Sequence, residues 1–176
     1  IDCCGVLHHL PDPAAGFSAL RGALSLDGGG LGFMVYAPYG RSGVYPLQDA
    51  FGALLKGLST QDRLTTGKRI YEKLPAGHPF KTNPHLHDHE HSDAGFYDLL
   101  LHSQDQAFDV PRLINTLRET DWQLAGFYHQ GLYDLARYMT PPSGMDLAEQ
   151  MGLAEKLNGT IKTHVGYAAA GTRVLP

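Results

Sequence analysis

The chain opens with Ile1-Asp2-Cys3-Cys4-Gly5-Val6-Leu7-His8-His9-Leu10-Pro11-Asp12-Pro13, and this stretch decides how the rest is interpreted. Residues 1–6 are apolar apart from one acid, which is typical of a strand buried on both faces of a parallel sheet. Asp12 can cap a helix, and Pro13 suits the first helical position, where its missing N–H costs nothing. The sequence therefore predicts a strand, two histidines and a helix. Ligands of open α/β sheets bind beyond the carboxyl ends of strands, so we expect a ligand site at residues 5–9.

The spacing of apolar residues predicts the remaining elements of an α/β fold. We expect helices at 13–26, 45–58, 61–74, 109–119, 132–139 and 146–157. We expect further strands at 31–37, 122–128 and 163–170. Residues 75–92 hold three prolines and five histidines and are predicted to form a loop, after which Asp93 caps a short helix through Leu101.

Composition narrows the class of protein. The 176 residues are 43% hydrophobic and 18% charged, enough for one domain with a core. A net charge of -4 without a basic cluster argues against nucleic-acid backbone binding. No apolar run has the length of a membrane span, and no signal peptide is visible. Cys3 and Cys4 are the only cysteines, and they are adjacent, so we expect two unbridged thiols in a reducing, cytoplasmic compartment.

Four phrases in order resemble class I methyltransferases that use S-adenosylmethionine (SAM). The first is VLHHLPDP at residues 6–13, which is followed by the turn and strand that lead into VYAPYGR at residues 35–41. A narrower bacterial group in that family has phrases similar to DLLLHSQDQAF at residues 98–108 and AEKLNGTIKTH at residues 154–164. The resemblance covers almost the whole chain.

The resemblance implies the C-terminal half of a Rossmann-like methyltransferase sheet, strands 4 to 7, with helical insertions. Within one partial domain over 1–176, it implies a βαβ core at 1–37, a helical insertion or lid at 38–108, and the remaining elements at 109–176. The last strand should pair antiparallel beside residues 122–128. The glycine-rich loop and the acid that hold SAM in this family lie in an N-terminal half that these residues lack.

The implied activity is transfer of a methyl group from SAM to an acceptor, either a small molecule or a protein, that the sequence does not identify. We expect a fragment of an enzyme that, by itself, neither binds SAM well nor turns over. Its first strand would form an exposed apolar edge, so we also expect self-association.

His8 and His9 are the candidate catalytic residues, because a neutral imidazole can deprotonate a hydroxyl or amine acceptor. The resemblance places them near the methyl donor, with Gly5, Val6, Leu7 and His8 as candidate cofactor-binding residues. The alternative is that one imidazole packs beneath the loop or caps a neighbouring backbone group.

Candidate substrate-binding residues lie around and after the end of the second predicted strand: Tyr36, Tyr39, Arg41 and Tyr45. Aromatic faces can hold a cation or a flat substrate, and Arg41 can bind a carboxylate or phosphate. Alternatively, the tyrosines cover the inserted helices and Arg41 is a surface residue.

His102 and Asp105 are further candidates for substrate binding, because they lie in the phrase that the resemblance places in a lid. Ser103 replaces a proline and Gln106 an arginine of the family pattern, which weakens any charge-based contact at residue 106. Alternatively, residues 99–101 are core and the polar residues only cap helix ends.

The sequence also contains alternate histidines at His85, His87, His89 and His91. In an extended segment they would project to one side and could meet zinc, nickel or copper. The spacing matches no standard zinc site, and the resemblance requires no metal, so these four are only weak metal candidates. A histidine-rich metal-binding module and a non-catalytic interaction domain remain the alternatives to an enzyme.

Overall fold

The computed structural model describes residues 1–25, 28–102 and 104–171, which form two compact units. Unit 1 consists of Ile1–Gly40 and Gln104–Pro176, and unit 2 of Arg41–Ser103. The insertion or lid that the resemblance implied over 38–108 stays a prediction.

Unit 1 is built on a mixed four-stranded sheet in the order β1-β2-β4-β3. The strands are β1 (Asp2–Cys4), β2 (Gly30–Tyr36), β3 (Trp122–Phe127) and β4 (Thr163–Ala170). β1 and β2 are parallel, and β4 is antiparallel to both β2 and β3. The α/β class and the antiparallel pairing of the last two strands are confirmed.

Helix α1 (Pro13–Ala23) connects the two parallel strands and begins as predicted. The Asp12 carboxylate accepts a hydrogen bond from the amide of Ala15 at 3.0 Å, and Pro13 occupies the first helical position. The helix was expected to continue to residue 26, but it ends at Ala23 because Leu24 has an extended backbone, with ψ 137°.

Two more helices of unit 1 begin at aspartate caps. In α6 (Val110–Glu119), Asp109 accepts from the amide of Arg112, and in α7 (Leu147–Asn158) the cap is Asp146. The predicted helix over 132–139 is wrong. Asp134 has an extended backbone and accepts from the amide of Ala136, so the segment forms two separate 3-10 turns, Gln130–Tyr133 and Leu135–Arg137.

The core of unit 1 lies on one face of the sheet. Phe33 and Val35 of β2 contribute to it together with Phe17 of α1, Leu117 of α6 and Trp122 of β3. The buried indole N–H of Trp122 donates to the carbonyl of Phe17 at 3.0 Å, which satisfies its only donor.

Unit 2 is helical and has its own core. Its helices are α2 (Val44–Leu54), α3 (Thr60–Glu72), α4 (Asp88–His91) and α5 (Asp93–Phe96), and α5 leads into a π-helical turn, Tyr97–Leu101. Its core residues include Phe51, Phe80, Phe96, Leu99, Leu100 and Leu101. None of the described helices combines the length and apolarity that crossing a membrane requires.

Two predictions in unit 2 need correction. The expected loop at 75–92 includes helix α4. Ser92, not Asp93, caps α5, because its hydroxyl accepts from the amide of Gly95 at 3.0 Å, which makes Asp93 the first helical residue.

The second face of the unit 1 sheet carries exposed apolar side chains. Strand β1 lies at the sheet edge, and Ile1 is 46% exposed, Val165 37% and Tyr167 55%. Tyr167 lies opposite Gly32 in the sheet, so no large side chain stands beside it there. These strands line a cavity of about 440 Å³. An apolar face next to an open strand edge favours association with other chains.

We therefore expect the 176-residue chain to self-associate, and the double variant Val165→Lys/Tyr167→Lys to shift it toward monomer, because two charges would be buried in any contact through this face. Sedimentation velocity over a concentration series measures the effect. Tyr138→Lys, which changes another exposed tyrosine, is the control. A wild-type chain that sediments as a monomer at all concentrations would contradict the prediction.

Candidate functional site

The turn after β1 presents the first histidine pair. β1 ends at Cys4, and Gly5 follows it with φ +77°, a conformation that residues with side chains rarely adopt. The amide of Gly5 donates to the carbonyl of Met34, and Leu7–His9 then forms a 3-10 turn. The residues that sequence analysis assigned to the cofactor thus lie at the carboxyl end of β1.

A second segment, residues 104–110, runs past this turn, and we call it the strap. The amide of Gln106 donates to the carbonyl of His8 at 2.9 Å, and the amide of Phe108 donates to the carbonyl of Tyr36 at 2.8 Å. The strap therefore spans the carboxyl ends of β1 and β2.

His9 meets the strap through Asp105. Its Nδ1 lies 2.6 Å from Oδ1 of Asp105, whose side chain is fully buried, whereas the His9 side chain is 23% exposed. A carboxylate at this distance favours the proton on Nδ1, and an imidazole in that tautomer accepts a proton through Nε2. The pair has the arrangement of a base and the group that orients it.

His8 has a different environment from its neighbour. Its ring is fully buried, with its centroid 3.7 Å from that of Tyr36 and 4.2 Å from that of His9. Leu7 is also buried in the core, so only its backbone can face a ligand, whereas Val6 is 49% exposed. Of the two candidate catalytic histidines, only His9 combines solvent access with a carboxylate neighbour.

The other predicted substrate residues fall in both units. Burial, and then the charges of Glu155 and Asp109, raise the pKa of Tyr39 in unit 1. In unit 2, Arg41 is only 4% exposed, and its Nε–H donates to the Tyr45 hydroxyl at 3.1 Å. The interpretation of Arg41 as a surface residue is therefore wrong, and its guanidinium contacts Tyr45, which is another of the candidate substrate-binding residues.

The predicted lid phrase is divided between the units. Leu99 to Leu101 are buried in the core of unit 2, as the alternative interpretation proposed. His102 follows them and is half-buried, whereas Asp105 and Gln106 belong to the strap of unit 1. Ser103, the other departure from the family pattern, lies outside the described residues.

The histidine-rich segment is not extended. Asp88–His91 is helical, so alternate histidines do not project to one side. His89 is buried against Phe80, and its Nε2 bonds the Tyr71 hydroxyl at 3.0 Å. Across residues 1–25, 28–102 and 104–171, no three side chains of the 85–91 segment converge on one metal position.

His89 gives unit 2 a pH dependence. Desolvation is the largest influence on its pKa and lowers it below the ordinary 6.5. The unfolded chain therefore binds a proton more readily than the folded chain, and stability is lost as pH falls through 6.5 and the folded pKa. We expect His89→Phe to reduce this loss of unfolding free energy, measured by urea titrations at pH values from about 7.5 to about 5, a range that brackets the ordinary histidine pKa of 6.5. His91→Gln, an exposed site, should keep the wild-type slope, and an unchanged slope in His89→Phe would refute the assignment.

Sequence analysis missed a buried polar network in unit 1. The hydroxyl of Tyr133 lies 2.8 Å from Nδ1 of His164, and Nε2 of His164 lies 2.8 Å from the carbonyl of Phe108 and 3.2 Å from Glu155 Oε1. The second carboxylate oxygen of Glu155 accepts from the amide of Val110 at 2.8 Å. Two members, Glu155 and His164, lie in the fourth family-like phrase, which was the only available signal.

No protein-family model matches the chain. An uncharacterized protein of Synechococcus, syc1184_c, is 32% identical over 132 residues, which cover 72% of this chain and 31% of that protein.

Among solved structures, PKMT2 from Rickettsia typhi is similar with a TM-score of 0.65 at 11% identity, over 99% of this chain and 35% of that one. The complex of PKMT2 with AdoHcy gives 0.64 at 11% identity, over 99% of this chain and 36% of PKMT2. The chain thus spans about a third of the length of these proteins. At this identity the likeness shows the fold alone.

Proposed function

We propose that this chain is the C-terminal part of a SAM-dependent methyltransferase, with four strands equivalent to strands 4 to 7 of that sheet. The observation that carries the proposal is the likeness of almost the entire chain to PKMT2, a fold solved with AdoHcy. The histidine turn, the end of β2 and the strap contain parts of three of the family-like phrases. Backbone hydrogen bonds join these three elements at one edge of the sheet, and α/β sheets bind ligands at such an edge.

The residues at the end of β1 fit a cofactor that supplies a methyl group on a sulfonium. Gly5 has no side chain and Val6 is exposed, so the backbone of this turn is approachable. The backbone bonds between the strand ends and the strap fix the geometry of this edge of the sheet. Alignment of the two reactants accounts for much of the rate of a methyl transfer. Elements outside these 176 residues would complete the cofactor site.

In this proposal His9 is the general base. As the acceptor atom forms its bond to the methyl carbon, the carbon–sulfur bond breaks and its electron pair stays on sulfur. The proton lost by the acceptor nitrogen or oxygen moves to Nε2 of His9. The carboxylate of Asp105, 2.6 Å from Nδ1, then stabilises the imidazolium. His8 supports the pair by packing between His9 and Tyr36.

The acceptor is a small molecule or a protein side chain with an ionisable nitrogen or oxygen, because such a group needs a base. A nucleic-acid partner is disfavoured by the net charge of -4.

We also propose a reducing, cytoplasmic location, since Cys3 and Cys4 are both free thiols.

The cofactor is tested by calorimetry with AdoHcy on two proteins: the product of the full natural reading frame and the 176-residue chain. We expect saturable one-to-one binding by the first and none by the second, because these residues lack the glycine-rich loop. A frame that opens at Ile1, or a full-length product that ignores AdoHcy, would favour a non-catalytic interaction domain. Saturable binding by the 176-residue chain would overturn its assignment as an incomplete site.

The base is tested in the full-length product with His9→Gln and Asp105→Asn. We expect kcat for methyl transfer to fall by about 10²-fold or more in each, the usual contribution of a general base. AdoHcy affinity should stay within about twofold, because the proposed role is chemical and not in binding. His129→Gln, an exposed histidine, is the control and should keep wild-type kcat. Unchanged kcat in His9→Gln would remove His9 from the mechanism.

A further inference from the structure

The contacts within the buried network of Tyr133, His164 and Glu155 favour one arrangement of its protons. Nε2 of His164 faces two acceptors, the carbonyl of Phe108 and the carboxylate of Glu155, so this nitrogen carries a proton. Nδ1 then accepts from the hydroxyl of Tyr133 at 2.8 Å. Burial, and then the charge of Glu155, raise the pKa of Tyr133, so the phenol keeps the proton that it donates.

The network joins three elements that are distant in sequence. Glu155 belongs to α7, His164 to β4, and Tyr133 to the 3-10 turn that follows β3. Glu155 and His164 are fully buried, and Tyr133 is 5% exposed. Removing one partner from such a group leaves the other polar groups buried without compensation. The observed arrangement of the network is therefore strongly favoured over arrangements that break one of its contacts.

Both outward bonds of the network end on the backbone of the strap. His164 donates to the carbonyl of Phe108, and Glu155 accepts from the amide of Val110. The amide of Phe108, on its other side, donates to the carbonyl of Tyr36 at the end of β2. The strap is thus bonded on one side to the strand ends and on the other to the network.

The strap carries Asp105 three residues before this attachment. The side-chain amide of Gln106 donates to the carbonyls of Leu10 and Pro11, which follow the histidine turn. The backbone between the turn and Phe108 therefore has little freedom, and the position of the Asp105 carboxylate depends on where Phe108 is held.

We propose that Glu155 and His164 are positioning residues: through Phe108 and Val110 they hold the strap so that Asp105 meets His9. The inference deepens the proposed function, on which it rests for its catalytic meaning, but the geometry is independent of the reaction. Tyr133 serves the same end by fixing the tautomer of His164.

Glu155→Gln is the sharpest variant, because it preserves size and removes one acceptor. The amide oxygen would still accept from the Val110 amide, but the amide NH₂ would then face the Nε2–H of His164, donor against donor. The network must rearrange, and the strap attachment with it.

The readout is the tautomer of His9, measured from imidazole ¹⁵N chemical shifts by NMR at a pH where the ring is neutral. In the wild type we expect the Nδ1–H form to predominate, because Asp105 faces Nδ1. In Glu155→Gln we expect that majority to be lost in favour of Nε2–H, as in the reference variant Asp105→Asn. Glu155→Asp, which keeps the charge, should shift the tautomer population of His9 partially. This variant replaces Glu155→Gln in the test if Glu155→Gln does not fold.

Ala154→Gly is the matched control, since it lowers helix stability at the neighbouring buried position of α7 and removes a methyl group that cannot hydrogen-bond to the strap. It should keep the wild-type tautomer. An unchanged His9 tautomer in a folded Glu155 variant, or an equal change in Ala154→Gly, would show that the network only stabilises the fold. Because the readout needs no methyl transfer, failure of the proposed function leaves this test intact. In an active full-length product, Glu155→Gln should lower kcat with little change in KM for SAM.

Discussion

The backbone of Phe108 is bonded on both sides, and the candidate site depends on that double attachment. Its amide donates to Tyr36 at the end of β2, and its carbonyl accepts from the buried imidazole of His164. These bonds are short, buried and satisfied at both ends, so moving the strap would expose several polar groups to an apolar interior. The strap brings Asp105, which is distant in sequence from the histidine turn, to within ion-pair distance of His9.

The two histidines of this turn differ in burial, and that difference distinguishes a proposed base from a residue that packs against other rings. Adjacent residues of a 3-10 turn project in different directions, and here His8 is enclosed by aromatic rings while His9 reaches a carboxylate and solvent. The buried ring of His8 packs against that of Tyr36, with the two centroids 3.7 Å apart. A partly exposed imidazole beside a buried carboxylate can act as a base, which is why the proposed mechanism assigns that role to His9 and not to His8.

The sheet of unit 1 is asymmetric in how its faces are covered. One face is packed against α1 and α6, and the other presents Val165, Tyr167 and Ile1 to solvent beside the edge strand β1. A sheet strand that is buried on both faces reads as a continuous apolar run, and the sequence of β1 and β2 has that character. The exposed face supports the proposal that this chain is one part of a larger catalytic domain, and the chain spans about a third of the length of the proteins that it resembles.

Local chemistry in the sequence determined most of the elements. Helix starts were predictable at Asp12-Pro13, Asp109 and Asp146, because a capping carboxylate acts on amides within three residues. β4 was predicted at its observed bounds, and the expected pairing with β3 is observed. His9 and Asp105 were both candidate site residues, one from its place after a strand and the other from a family-like phrase.

Only the tertiary structure decided which of these residues act together. Residues from separate elements meet in the pair of His9 and Asp105 and in the network of Tyr133, Glu155 and His164. The burial of His8 likewise depends on packing between elements. Periodicity and capping report contacts within a few residues and carry no information about such meetings. The helical conformation of Asp88–His91 could not be predicted from the local sequence either. Four residues form too few intrahelical hydrogen bonds for a stable helix without packing against the rest of unit 2.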